Sequence, residues 1–180
     1  AKPSKVNHII EPGKIELIGL EPEIVALPGH SYNQIGVLLD DVFFCADTVF
    51  SDRVIDKYRI PVVQDVTRHL ETLDKLEETE CSLFVPAHTK PTEDIKQLVA
   101  KNRATTEAII TDIKELLKEP RSTEEVLSLL GEEYEIDLTV VQQYYLIQMT
   151  LMAYLGYLYD SKQVEIKLEN NILRWLVLDS

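Results

Sequence analysis

LPGHSYNQIG at 27–36 is followed almost at once by VFFCADTVFSD at 42–52. In the first stretch a Pro-Gly turn lifts His30 off the end of an apolar strand. In the second an apolar strand ends on Asp47. A third apolar run, CSLFVPAH at 81–88, ends on His88 behind Pro86-Ala87. All three side chains stand where a strand gives way to a loop, from which a rigid sheet can aim a polar group into a cleft. Imidazole and carboxylate suit zinc, iron or manganese, and ligands from three strand ends can converge although distant in sequence. Each residue taken singly also has an ordinary reading. His30 could be a turn histidine bonded to backbone, Asp47 a cap in Ala-Asp-Thr, and His88 a loop residue before Lys90-Pro91.

Around these motifs the first ninety residues read as strand, turn, strand. KIELIGL (14–20) and EIVAL (23–27) are punctuated by Pro12-Gly13 and Glu21-Pro22. IGVLLDD (35–41) and VFFCAD (42–47) form a hairpin about Asp40-Asp41. Val66, Leu70, Leu73 and Leu76 recur at helical spacing and predict a helix over 64–78. His69 lies in that charged helix and reads as solvated; His8 has no special setting.

From residue 91 the period turns helical. One helix opens at Thr92-Glu93-Asp94, and another carries Ile109 to Leu117 and stops at Pro120. Ser122-Thr-Glu-Glu125 is a capping-box pattern for a short helix ending at Gly131. The longest helix is predicted over 138–159, and QVEIKLENNILRWLVL (163–178) reads as two strands about Glu169-Asn170-Asn171. Three helices and a hairpin follow the element order of a winged helix. The shift in texture divides the chain into 1–103 and 104–180.

Composition narrows the function. The 180 residues hold 18 basic and 31 acidic side chains, a net charge of −13. That disfavours nucleic-acid backbones and anionic membranes, which are bound by clustered Lys and Arg. Over 101–180 eight basic residues face fourteen acidic ones, and the helix at 138–159 has no Lys or Arg to offer base edges. Its apolar run is broken by Gln148, Thr150 and Gly156, short of the ~20 apolar residues of a membrane span. It reads instead as the centre of a small helical domain or half of a dimer interface. Two cysteines, Cys45 and Cys81, without CxxC spacing, read as free thiols of a reducing cytoplasm. The opening AKPSKVNHIIEPGK has no apolar core of a signal peptide.

LPGHSYNQIG, FFCADTVF and FVPAHT resemble, in order, three motifs of the C-terminal half of the metallo-β-lactamase superfamily. There a PGH turn gives one metal ligand, a strand ending in GD a bridging aspartate, and a PGH or PAH loop the last histidine. The resemblance covers 14–90, and 92–180 is similar to the small C-terminal extension of several hydrolases of the superfamily. It implies that His30 binds a first zinc, Asp47 bridges two, and His88 binds the second. It implies an α+β fold: the second half of an αββα sandwich, followed by a winged-helix-like α/β-hairpin domain. Ala46 and Ala87 stand where the superfamily has glycine, so a methyl group crowds each turn.

The larger departure is that no HxHxDH motif, nor any HxH, occurs. The expectation is a fragment of a metal-dependent hydrolase of small molecules. Each metal would keep two ligands here, whereas a catalytic zinc usually has three plus water. The chain alone is therefore expected to bind zinc weakly or not at all and to be inactive. Its partner would be the N-terminal half or a second copy, in a homodimer. The competing reading is a non-catalytic assembly module with a vestigial half-site; a nucleic-acid-processing member is weakened by the charge.

Overall fold

The computed structural model describes residues 5–6 and 8–178. The stretch read for a leader falls partly on residues 1–4 and 7, outside the described residues. Five strands form one sheet in the order of the chain: β1 (Gly13–Lys14), β2 (Glu23–Ala26), β3 (Ile35–Leu39), β4 (Val42–Phe50) and β5 (Leu83–His88). The first four are antiparallel neighbours, and β5 runs parallel to β4. The crossover between them carries α1 (Asp52–Tyr58) and α2 (Val66–Glu78). Then come α3 (Lys96–Leu116), α4 (Thr123–Glu133), α5 (Val141–Asp160) and a separate hairpin, β6 (Val164–Glu169) and β7 (Ile172–Val177).

Alternation along β4 divides the sheet's two faces. Phe43 and Cys45 point to one side and join Leu27, Val49 and Phe84 beneath Leu73 and Leu76 of α2 and Val99 of α3. Ile24, Val37, Phe44 and Val85 pair across four strands as a row of the other parity. No helix of the described residues covers Phe44, whose side chain is 45% exposed against 1% for Phe43. One side of the sheet is thus a packed core, and the other is buried at Ile24 and open at Phe44.

A second core gathers Ile109, Ile113 and Leu117 with Val126, Leu127 and Leu130 of α4 and Leu151, Tyr154, Leu155 and Leu158 of α5. Ile60, Val63 and Val66 reach into it from the crossover, and Trp175 from β7. The capping box of α4 forms as the sequence predicts, Ser122 and Glu125 bonding each other's backbone N–H. Asn170 and Asn171 take the two positive φ angles (54° and 64°) of the β6–β7 turn.

Three local expectations are corrected. The two helices predicted between 92 and 117 are one continuous α3, because nothing in KNRATTEA breaks a helix; Val99 packs on the sheet core and Ile109 on the helical one. The division at 103 falls inside it. KIELIGL is not one strand: the chain doubles back at Ile18 and Gly19, where Leu17 and Leu20 exchange both backbone hydrogen bonds. His69 is not solvated. It is 3% exposed on the buried face of α2, in step with Val66, Thr72, Leu73 and Leu76.

No helix among the described residues is long and apolar enough to cross a membrane. On α5 the faces differ: Ile147, Leu151 and Leu155 are buried, whereas Tyr145, Leu146, Met149 and Met152 are exposed.

Candidate functional site

The Pro28-Gly29 turn is shaped by the start of α2. The Gly29 carbonyl accepts from the backbone N–H groups of Gln64 and Asp65, at 2.8 and 3.1 Å. The Pro28 carbonyl accepts from the Thr72 hydroxyl at 2.7 Å. Gly29 has φ 140°, and a Cβ there would lie 2.6 Å from the Cα of His69. Only glycine lets the turn sit this close, and the turn delivers His30 to the sheet's end.

His30 is then fixed by its own ring. Its Nδ1 lies 2.8 Å from the carbonyl oxygen of Val62. A carbonyl only accepts, so Nδ1 carries the hydrogen, and in the neutral ring Nε2 presents a lone pair. That nitrogen faces Oδ2 of Asp47 at 4.0 Å. Such a backbone bond on the far nitrogen is how metal-ligating histidines are commonly oriented.

Asp47 is aimed by a bulge. The β4–β5 register shifts between Phe44 and Ala46 and again before Phe50, and Ala46 takes φ 50°. The Thr48 hydroxyl donates to the Cys45 carbonyl at 2.6 Å and closes the kink. Ala46 thus adopts the left-handed conformation that suits glycine, at a cost of about 1–2 kcal/mol. Past the bulge, Asn102 of α3 holds the strand end: its amide accepts from Phe50 N–H and donates to Phe50 C=O, both at 2.9 Å.

His88 ends β5 on the same edge, its Nε2 2.9 Å from Oδ1 of Asp47. The contact lacks hydrogen-bond geometry, and Oδ1 is a buried oxygen without a hydrogen-bond partner among the described residues. The Phe50 ring lies against both imidazoles, stacked on His88 at 6.2 Å and edge-on to His30 at 5.9 Å. The three residues singled out in the sequence therefore meet about one carboxylate. They do not close into a cage: among the described residues no three His, Cys, Asp or Glu side chains are placed to hold a metal together. Two imidazoles and a carboxylate are donors that fit a metal as part of a larger ligand set. Asn102, Thr72 and the Val62 carbonyl support the site without any sequence signal, since each bonds across a long stretch of sequence.

Two other reactive side chains nearby are muted by burial. The Cys45 thiol, inside the sheet core, is pushed up to about 11, so it stays protonated at neutral pH. Burial, with smaller effects from His30 and Arg103, lowers His69 to about 4 and keeps its ring neutral.

No family model matches the chain. A hydroxyacylglutathione hydrolase of Shewanella pealeana is 47% identical over 49 residues, 26% of this chain and 19% of that protein. The one from Shewanella loihica is 36% identical over 87 residues, 46% of this chain and 32% of its own length. A β-lactamase domain protein from Burkholderia ambifaria matches 99% of this chain and 53% of its own, with TM-score 0.78 at 18% identity. A metallo-β-lactamase family protein from Thermus thermophilus matches 98% and 56%, with TM-score 0.72 at 17% identity. The chain thus has the fold of part of these metallo-β-lactamase-type proteins and spans about half their length.

Proposed function

We propose that this chain carries the C-terminal half of the catalytic domain of a metal-dependent hydrolase of the metallo-β-lactamase superfamily. In this reading His30 is a ligand of one zinc, His88 of a second, and Asp47 stands between them; iron or manganese suits the same donors. The observation that carries it is the convergence on Asp47. A lone-pair nitrogen faces one of its oxygens, and an imidazole abuts the other, buried and without a hydrogen bond. Two acceptor groups that face each other repel unless a cation or proton is shared between them. Bound there, a divalent metal supplies Lewis acidity for hydrolysis. The chain's own residues hold the geometry: Val62 fixes the His30 tautomer, the Ala46 bulge aims Asp47, and Phe50 walls both imidazoles.

With two donors at each position, this chain by itself binds metal weakly and turns over no substrate. The rest of the site comes from an HxHxDH segment packed on the open face of the sheet, the face of Val37 and Phe44. The local identity to hydroxyacylglutathione hydrolases supports a small acyl compound as substrate. In this reading α3 runs from a catalytic half at 1–103 into a winged-helix-like C-terminal domain at 104–180, in a reducing cytoplasm that keeps both thiols free. The test is to read the coding sequence upstream of residue 1 for HxHxDH and assay the extended protein. Metal-dependent ester or thioester hydrolysis, lost in Asp47→Asn, is expected. A metal-loaded extended protein without turnover would overturn the reading.

One observation favours a second reading, an assembly module with a vestigial half-site. Tyr145, Leu146, Met149 and Met152 form an exposed apolar strip on α5, suited to a symmetric homodimer.

A further inference from the structure

Beside the candidate site lies a cavity of about 500 Å³ between α1 and α5. His30 and His88 are among the residues that line it. Val54, Ile60, Leu146 and Ile147 supply an apolar wall, and Arg53 and Lys57, one turn apart on α1, supply charge. None of the described residues lining the cavity is acidic, in a chain whose net charge is −13. Asp52, the carboxylate beside Arg53 in sequence, is turned to Lys101 at 3.4 Å. Lys57 donates to the Tyr58 hydroxyl at 3.1 Å and lies over that ring, 4.6 Å from its centroid, which fixes its ammonium at the cavity wall.

We infer that this cavity binds a small molecule that joins an apolar body to an anionic group, the anion on Arg53 and Lys57 and the body against Leu146 and Ile147. A pocket of this kind is mostly apolar with a few placed polar groups that set orientation. The local charge is the reverse of the whole protein's, so the cations here are a choice of ligand and not a general feature of the surface. Arg53 and Lys57 share this lining with His30 and His88, so the inference deepens the hydrolase reading and rests on it for what becomes of the ligand. The preference is modest in size, because Lys57 and Tyr58 also border a second cavity that holds Asp56, Glu135 and Asp137.

Binding can be tested without metal or turnover. The chelator-treated chain would be titrated with 4-phenylbutyrate and with its neutral isostere 4-phenylbutyramide, followed by ligand-observed NMR. The carboxylate should bind about threefold tighter, the value of one exposed charge contact. Arg53→Gln/Lys57→Gln should remove that advantage and leave the amide unchanged. Leu146→Trp, which fills the apolar part, should weaken both probes. The inference is overturned if neither probe binds, if the amide binds as well as the acid, if the preference survives the double variant, or if Leu146→Trp leaves both unaffected. Asp47→Asn keeps the two ideas apart: it removes the proposed metal bridge and should leave the anion preference intact, so either can fail alone.

Discussion

A Cβ on Gly29 would stand 2.6 Å from the Cα of His69, closer than any real side-chain carbon approaches backbone. The turn that carries His30 and the helix that carries His69 are therefore fitted to one another through the absence of a side chain. Gly29→Ala must strain a φ of 140° and push the turn off α2. Backbone strain and overpacking each cost about 1–3 kcal/mol, so a loss of about 3 kcal/mol is expected in denaturant unfolding. The His30–Val62 bond should loosen with it, visible as a changed imidazole tautomer signal.

His69 gives the fold an acid sensitivity. Burial holds its folded-state value at about 4, below the ordinary 6.5. Below about pH 6.5 the unfolded chain takes up a proton that the folded chain refuses until about pH 4. Stability is thus complete above pH 6.5 and falls as pH drops through that window, by up to about 3 kcal/mol. His69→Leu should flatten this part of the stability profile. An unchanged slope between pH 7 and pH 4.5 would show that other groups cause it.

Phe43 and Phe44 are neighbours on β4 with opposite fates. Phe43 is buried beneath the helices, and its replacement by Ala should cost about 3–5 kcal/mol. Phe44 is nearly half exposed on the open face. Phe44→Ala should cost less than about 1 kcal/mol while reducing binding of a dye that reports exposed apolar surface. If the two variants lose similar stability, that face is covered in solution.

Ala46 takes φ 50° at the bulge before Asp47. Ala46→Gly should therefore stabilise the chain by about 1 kcal/mol, since glycine adopts this conformation without the steric cost. A destabilised Ala46→Gly would mean that the methyl group packs usefully in the kink.

Much of the sheet is legible in the sequence, for a physical reason, while the three candidate residues emerge only together, through a resemblance. Pro-Gly before His30 and Pro-Ala before His88 are local signals, whereas Asp47 does not end its strand as the sequence suggests: β4 runs on to Phe50, and the bulge at Ala46 turns Asp47 out. The helix α1 does not stand out, because seven residues are too few to show a period. The sequence suggests two helices where α3 is one, because the core changes partner at Asn102 while the helix runs on. His69 is hidden for a related reason: charge on the outer face of α2 masks a buried position in step with Val66 and Leu73. Support from Val62 and Asn102 comes through backbone and long-range contacts that no local pattern encodes.

Whether His30, Asp47 and His88 hold a metal is decided by zinc titration of the chain, followed through the imidazole ¹⁵N signals of its four histidines. The expected result is weak, saturable binding that shifts Nε2 of His30 and His88, leaves His8 and His69 in place, and disappears in Asp47→Asn. Zinc binding that shifts His8 or His69 alone, or that persists undiminished in Asp47→Asn, would contradict it.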